Sequence, residues 1–142
     1  MTELKRIFIN LPVSDVTAST AFYEAIGFER NPQFSNQSGA CMVWSDAIYV
    51  MLAARDFFGT FTPKPIADTQ ATSAALFALS FDSRADVDAI TTAAVAAGGT
   101  EGHEPEDMGF MYSRAFWDLD GHGFGPFWMD PAAAANGPPA DA

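Results

Sequence analysis

Side chains able to do chemistry are few and scattered in this 142-residue chain. Arg114, set between Ser113 and Ala115 in a strand-like stretch, offers a fork of donors that fits a carboxylate or phosphate. The same fork fits a salt bridge, and the chain carries 18 Asp plus Glu to make one. His103 stands in Gly102-His103-Glu104-Pro105-Glu106-Asp107, where close carboxylates would raise its proton affinity. A Pro-containing acidic run is also the pattern of a solvated loop. His122 follows Gly121 and suits a structural anchor at a strand entry. Cys41, the single cysteine, lies beside Met42 and Val43 in the setting of a buried, inert thiol. One cysteine excludes an internal disulfide and a multi-cysteine metal cluster. No Ser, His and Asp spacing suggests a nucleophilic triad, and no Gly-rich phosphate loop is present.

Seven Lys plus Arg against 18 acids give a net charge of −11. Such a surface repels phosphate backbones and anionic lipid, so neither nucleic acid nor membrane is expected as a partner. The 49% hydrophobic and 13% aromatic content belongs to a folded core of about one domain. The apolar run Ile7 to Val13 is broken by Asn10 and Pro12, too short for a signal-peptide core. A cytoplasmic location is therefore expected.

Two similar halves must position these side chains. Ile7, Ile9, Leu11 and Val13 alternate with Phe8, Asn10 and Pro12, which predicts a strand with two distinct faces. Ser14 or Asp15 can cap a following helix, whose Val16, Ser19, Phe22, Tyr23 and Ile26 keep helical spacing up to Gly27. Strands are predicted near Glu29 to Phe34, Ala40 to Ser45 and Ile48 to Ala53. The second half repeats the order: a strand at Ala75 to Phe81, a helix capped by Ser83 and ended at Gly98-Gly99, and strands near Thr100 to Glu104, Phe110 to Trp117 and Gly123 to Met129. Leu11 to Leu79 spans 68 residues, Gly27 to Gly98 spans 71 and Trp44 to Trp117 spans 73, so the halves keep register.

These elements predict an α+β fold of two tandem β-α-β-β-β modules whose curved sheets form a half-barrel with the helices on the outer face. A single domain is expected over residues 1–130, with modules at about 4–54 and 74–130, a linker at 55–73 with room for a short helix at Asp56 to Phe61, and a flexible tail at 131–142. Strand alternation turns Phe8, Asn10, Tyr49, Met51, Leu76, Ala78, Ser80, Gly123, Gly125 and Phe127 toward the concave face, with Trp44, Tyr112, Arg114 and Phe116 as contributors from neighbouring strands. That is an apolar, aromatic lining suited to a small molecule. The same aromatics could equally fill the concavity.

The duplicated unit, the segment Phe22-Tyr23-Glu24-Ala25-Ile26-Gly27-Phe28 and the turn Asp118-Leu119-Asp120-Gly121-His122 together resemble the vicinal oxygen chelate superfamily, the glyoxalase, bleomycin-resistance and extradiol dioxygenase proteins. The resemblance spans about Lys5 to Asp130. It implies a divalent metal held by His and Glu from the first and last strands of each half. Carried over by position, those sites fall on Phe8, Leu76, Met51 and Gly125. None can ligate a hard divalent ion, since a Met thioether is a soft ligand and the others have no side-chain donor. A one-residue slip would bring Ile7 or Ile9, Val50 or Leu52, and Phe124 or Pro126, which is no better.

The expected protein is therefore a metal-free, cofactor-free binder of an apolar, aromatic or cationic small molecule. The resemblance further implies a homodimer. The alternative is a glyoxalase-like lyase or isomerase, or a dioxygenase-related enzyme, using Tyr49, Tyr112, Arg114 or His103 for acid-base work.

Overall fold

The computed structural model describes residues 3–140. The chain gathers into two compact units, one ending at Thr72 and the other beginning at Ser73.

In the first unit, β1 (Ile7–Val13) pairs in parallel with β4 (Ile48–Ala54). β3 (Gly39–Val43) and β2 (Glu29–Asn31) extend the sheet antiparallel, in the order β1-β4-β3-β2. α1 (Val16–Ala25) starts where the Asp15 carboxylate accepts the Ala18 amide at 3.0 Å. It ends at Gly27, whose φ of 110° no β-carbon would tolerate cheaply. Phe22, Tyr23 and Ile26 then bury against Leu11, Val13, Met42, Val50 and Leu52, one face of the sheet. Each such side chain contributes about 1.5–3 kcal/mol by leaving water. Pro32 has no amide to donate, so β2 stops at Asn31 and a single 3-10 turn follows at Pro32–Phe34. The predicted strand to Phe34 is shortened for that reason. After β4 the short α2 (Arg55–Phe58) begins the connecting segment.

The second unit has the same strand order in interrupted form. β5 (Leu76–Phe77) and β6 (Ser80–Phe81) together stand for β1. α3 (Arg84–Ala96) follows, with the Ser83 hydroxyl accepting the Asp86 amide at 3.1 Å. β7 (Thr100–Glu101), β8 (Glu106–Asp107), β9 (Met111–Ser113), β10 (Phe116–Trp117), β11 (Gly123–Phe124) and β12 (Phe127–Met129) complete two short ladders, β5-β11-β10-β7 and β6-β12-β9-β8. Three predicted strands are thus each cut in two, while the one predicted at Thr100 to Glu104 is shortened to β7 and β8 follows beyond its predicted end. Pro126 supplies one cause: Arg114 donates its amide to the Pro126 carbonyl at 3.0 Å, and proline has none to return. Register survives the cut, because Phe124 pairs with Phe116 and Phe127 with Ser113, three steps along each strand. On the edge, Glu101 faces Phe116 while Glu106 faces Ser113. Four residues there oppose two, so Gly102 to Pro105 bulge outward.

The predicted flexible tail is corrected over its first half. Asp130 caps α4 (Pro131–Asn136), accepting the Ala132 amide at 2.8 Å, and Ala133 is buried. Residues 141 and 142 lie outside the described residues. No helix among the described residues is long and apolar enough to cross a membrane.

Candidate functional site

Residues paired across strands share a face, so the ladders sort every candidate side chain. In the first unit the sheet face opposite α1 carries Phe8 beside Tyr49, Asn10 beside Met51, and Cys41 beside Met51 on its other side. Phe8 stacks flat on Tyr49, with ring centres 4.4 Å apart. The Tyr49 hydroxyl donates to the Asp46 carbonyl at 3.1 Å. In the second unit the face opposite α3 carries Leu76 beside Gly123, and Ser80 beside Phe127. Continuing that register puts Ala78 beside Gly125.

Four predicted contributors lie on the helix side instead. Trp44 packs on Phe28 at 4.8 Å. Phe116 is wholly buried and stacks on Phe124 at 5.2 Å. Tyr112 donates to Asp88 Oδ1 at 2.6 Å, and Arg114 donates to the same oxygen at 2.9 Å and to Glu101 Oε2 at 2.6 Å. Arg114 is thus held by this chain's own acids. The Tyr112 hydroxyl and then the Arg114 guanidinium hold Asp88 below the usual carboxylate range. Asp88 in turn raises Tyr112, while Glu101 raises Arg114 further. Between the halves the register is offset by one residue from the tryptophan match: Val43 faces Tyr49 as Trp117 faces Gly123, so Trp117 corresponds to Val43 and not to Trp44.

Each helix-free face has its own cavity. The first unit's measures about 190 Å³ and is lined by Asn10, Phe34, Asn36, Gly39, Met51, Phe57 and Phe61, with Ala40, Leu52 and Ala53 behind them. Gly39 is held glycine by the backbone rather than by the ring: a β-carbon there would stand 2.9 Å from the Leu52 carbonyl, while the Phe57 ring at 3.7 Å would be in ordinary contact. The second unit's cavity measures about 150 Å³, between Leu76, Gly102, His103, Ala115, Trp117, Gly123 and Gly125. A β-carbon on Gly123 would meet Trp117 at 2.5 Å and Leu76 at 2.6 Å, so two side chains of this protein already close over that glycine. Gly125 is open, its nearest neighbour on that side being the Arg114 carbonyl at 3.9 Å.

Phe34, Asn36, Gly39, Phe57, Phe61 and Trp117 escaped the sequence reading. Phe57, Phe58 and Phe61 in a connector too short to bury them were the available signal.

The remaining polar candidates have structural surroundings. The Asp118 carboxylate accepts the amides of Asp120 and His122 at 2.9 and 2.8 Å, which builds the turn. His103 is exposed, with Nδ1 2.7 Å from the Glu104 carbonyl. Burial pushes the Cys41 thiol up, away from thiolate. Phe8, Met51, Leu76 and Gly125, the positions where a divalent ion would be expected, do not fit one: they offer a single soft thioether. No group of three His, Cys, Asp or Glu able to hold a metal occurs among the described residues.

A family model described as the glyoxalase/bleomycin resistance protein/dioxygenase superfamily matches residues 6–125. Among solved structures, a hypothetical protein of S. aureus aligns with a TM-score of 0.76 at 24% identity, covering 90% of this chain and 96% of that one. A glyoxalase/bleomycin resistance protein/dioxygenase family enzyme from Burkholderia phytofirmans aligns with a TM-score of 0.71 at 18% identity, covering 86% and 96%. The fosfomycin resistance protein FosX of Mesorhizobium loti aligns with a TM-score of 0.67 at 17% identity, covering 95% and 99%. No curated protein matches the chain.

Proposed function

Because the chain belongs to the glyoxalase/bleomycin resistance protein/dioxygenase superfamily, we propose that it is a member that binds a small, largely apolar molecule on its helix-free sheet faces without a divalent metal. The observation that carries this reading is the donor set at Phe8, Met51, Leu76 and Gly125, with Phe8 stacked on Tyr49. Apolar walls with few polar groups are the ordinary make-up of a small-molecule site.

Isothermal titration of Ni²⁺, Zn²⁺ and Mn²⁺ into chelator-treated protein tests it. No stoichiometric binding is expected, and no turnover of methylglyoxal with glutathione. One ion per chain with metal-dependent turnover overturns the proposal.

An acid-base lyase or isomerase is the second reading, and His103 favours it by bordering the second unit's cavity. Tyr112 and Arg114 are committed to Asp88 and Glu101, which weakens it. The homodimer belongs to the same proposal. Ile7, Phe8 and Leu76, on strands at the ends of their ladders, are all exposed apolar residues, which supports pairing. A single 15.2 kDa species by size measurement would count against it. A cytoplasmic location and an absence of nucleic-acid and membrane partners complete the reading, supported by the charge of −11.

A further inference from the structure

We infer that the first unit's cavity takes one neutral aromatic ring bearing a hydrogen-bond donor, the chemistry of a phenol. This deepens the metal-free binding reading and rests on it.

Size sets the first limit. A dry apolar cavity of about 150 Å³ holds benzene, and this one, at about 190 Å³, has room for a ring with a small substituent. Shape sets the second. Phe57 and Phe61 meet edge to face at 4.8 Å, and Phe34 adds a third ring to the lining. All three remain exposed in the folded chain, so their apolar surface is left for another molecule to cover. Rings of this kind accept an aromatic guest in stacked or edge-to-face contact.

Polarity sets the third limit. No ionisable side chain lines the cavity, which disfavours a charged guest. A net charge of −11 disfavours an anion further. Of the two carboxamides, Asn36 has its oxygen engaged by the amides of Ser38 and Gly39 at 2.8 and 3.2 Å. Asn10 differs. Its Nδ2 donates to the Phe8 carbonyl at 3.3 Å, and its oxygen has no partner among the described residues. An acceptor at the edge of an aromatic slot calls for a guest with an O–H or N–H.

The experiment titrates phenol, toluene, benzoate and phenyltrimethylammonium into chelator-treated protein, reading the Met51 methyl and the Trp117 indole N–H by NMR as reporters of the two cavities. Phenol is expected to bind most tightly of the four and to move Met51 but not Trp117. Asn10→Leu is expected to weaken phenol about tenfold and leave toluene within twofold, the loss of one hydrogen bond. Phe61→Ala, at an exposed ring whose loss spares the core, is expected to weaken both about tenfold. Tighter binding of either ion, equal phenol affinity in Asn10→Leu, shifts confined to Trp117, or no binding of any probe overturns the inference. Phenol binding that appears only with added metal instead overturns the metal-free reading beneath it.

Discussion

The two units build the same ladder and distribute bulk over it in opposite ways. On the helix side equivalent positions match: Leu11 with Leu79, Met42 with Phe116, and Val50 with Phe124 are all buried. On the opposite face they invert. The first unit places Tyr49 where the second has Gly123, and Val43 where the second has Trp117. An aromatic ring crosses the same spot in both, from β4 in one and from β10 in the other. Packing against a helix keeps these three positions buried and apolar, because a core close to crystal density leaves no space unfilled. A face turned away from the helix needs the space filled, and the strand that fills it is free to vary. The cavities follow from that freedom: the first opens toward Asn10 and Gly39 under the phenylalanines of the connector, the second toward Gly125 beside Trp117.

The largest expected effects come from the matched helix-side pair. Phe116→Ala should cost about 3–5 kcal/mol and Met42→Ala about 2–5 kcal/mol, transfer and cavity costs combined. Both side chains are fully buried, and Phe116 also loses its stack on Phe124. Urea unfolding followed by circular dichroism measures both. A loss under 1 kcal/mol for one and a full loss for the other would break the equivalence.

The inverted face gives the next effect. Gly123→Ala sets a methyl 2.5 Å from Trp117 and 2.6 Å from Leu76, an overpacking worth about 1–3 kcal/mol. Tyr49, at the matching place, already carries a large ring. Combining Gly123→Ala with Trp117→Val, the first unit's residue at that position, should cost less than the sum of the two single changes. Strict additivity of the unfolding free energies would mean that the ring and the glycine are not exchanging one volume.

How much of this was legible follows from the same contrast. Alternation at Ile7 to Val13, the Asp15 and Ser83 caps, and the glycines at 27 and 98, with φ of 110° and 104°, are local signals, and the order of elements came from them. Membership of the superfamily was legible in the spacing of the repeat. Register between the halves was not, because matching Trp44 to Trp117 by residue type misplaces one residue, and one residue changes the face. The phenylalanines of the first cavity were missed because Phe34, Phe57 and Phe61 stand in a turn and a connector, where no periodicity assigns a side.

A smaller effect comes from a place where the helix-side faces differ in charge. Position 114 corresponds to the buried Ala40 of the first unit, so an apolar helix contact in one unit is replaced in the other by Arg114 clamped between Asp88 and Glu101. Asp88 has its folded pKa depressed, by the Tyr112 hydroxyl first and by Arg114 next. Its contribution to stability is therefore complete above the ordinary aspartate value of about 3.9 and fades as pH falls through and below it. Tyr112 has the opposite sign. Its pKa is raised by donating to Asp88, so its contribution holds below about pH 10 and fades as pH rises through the elevated value. The Asp88 side chain is 50% exposed, so water screens the pair and the expected acid loss stays under about 1 kcal/mol. Unfolding free energies from pH 6 to 3 should fall less steeply in Asp88→Asn than in the parent, whereas Tyr112→Phe should remove the alkaline fade and weaken the acid one. Parallel profiles in parent and Asp88→Asn would show that the clamp stores no pH dependence, leaving Arg114 as packing alone, in the manner of Ala40.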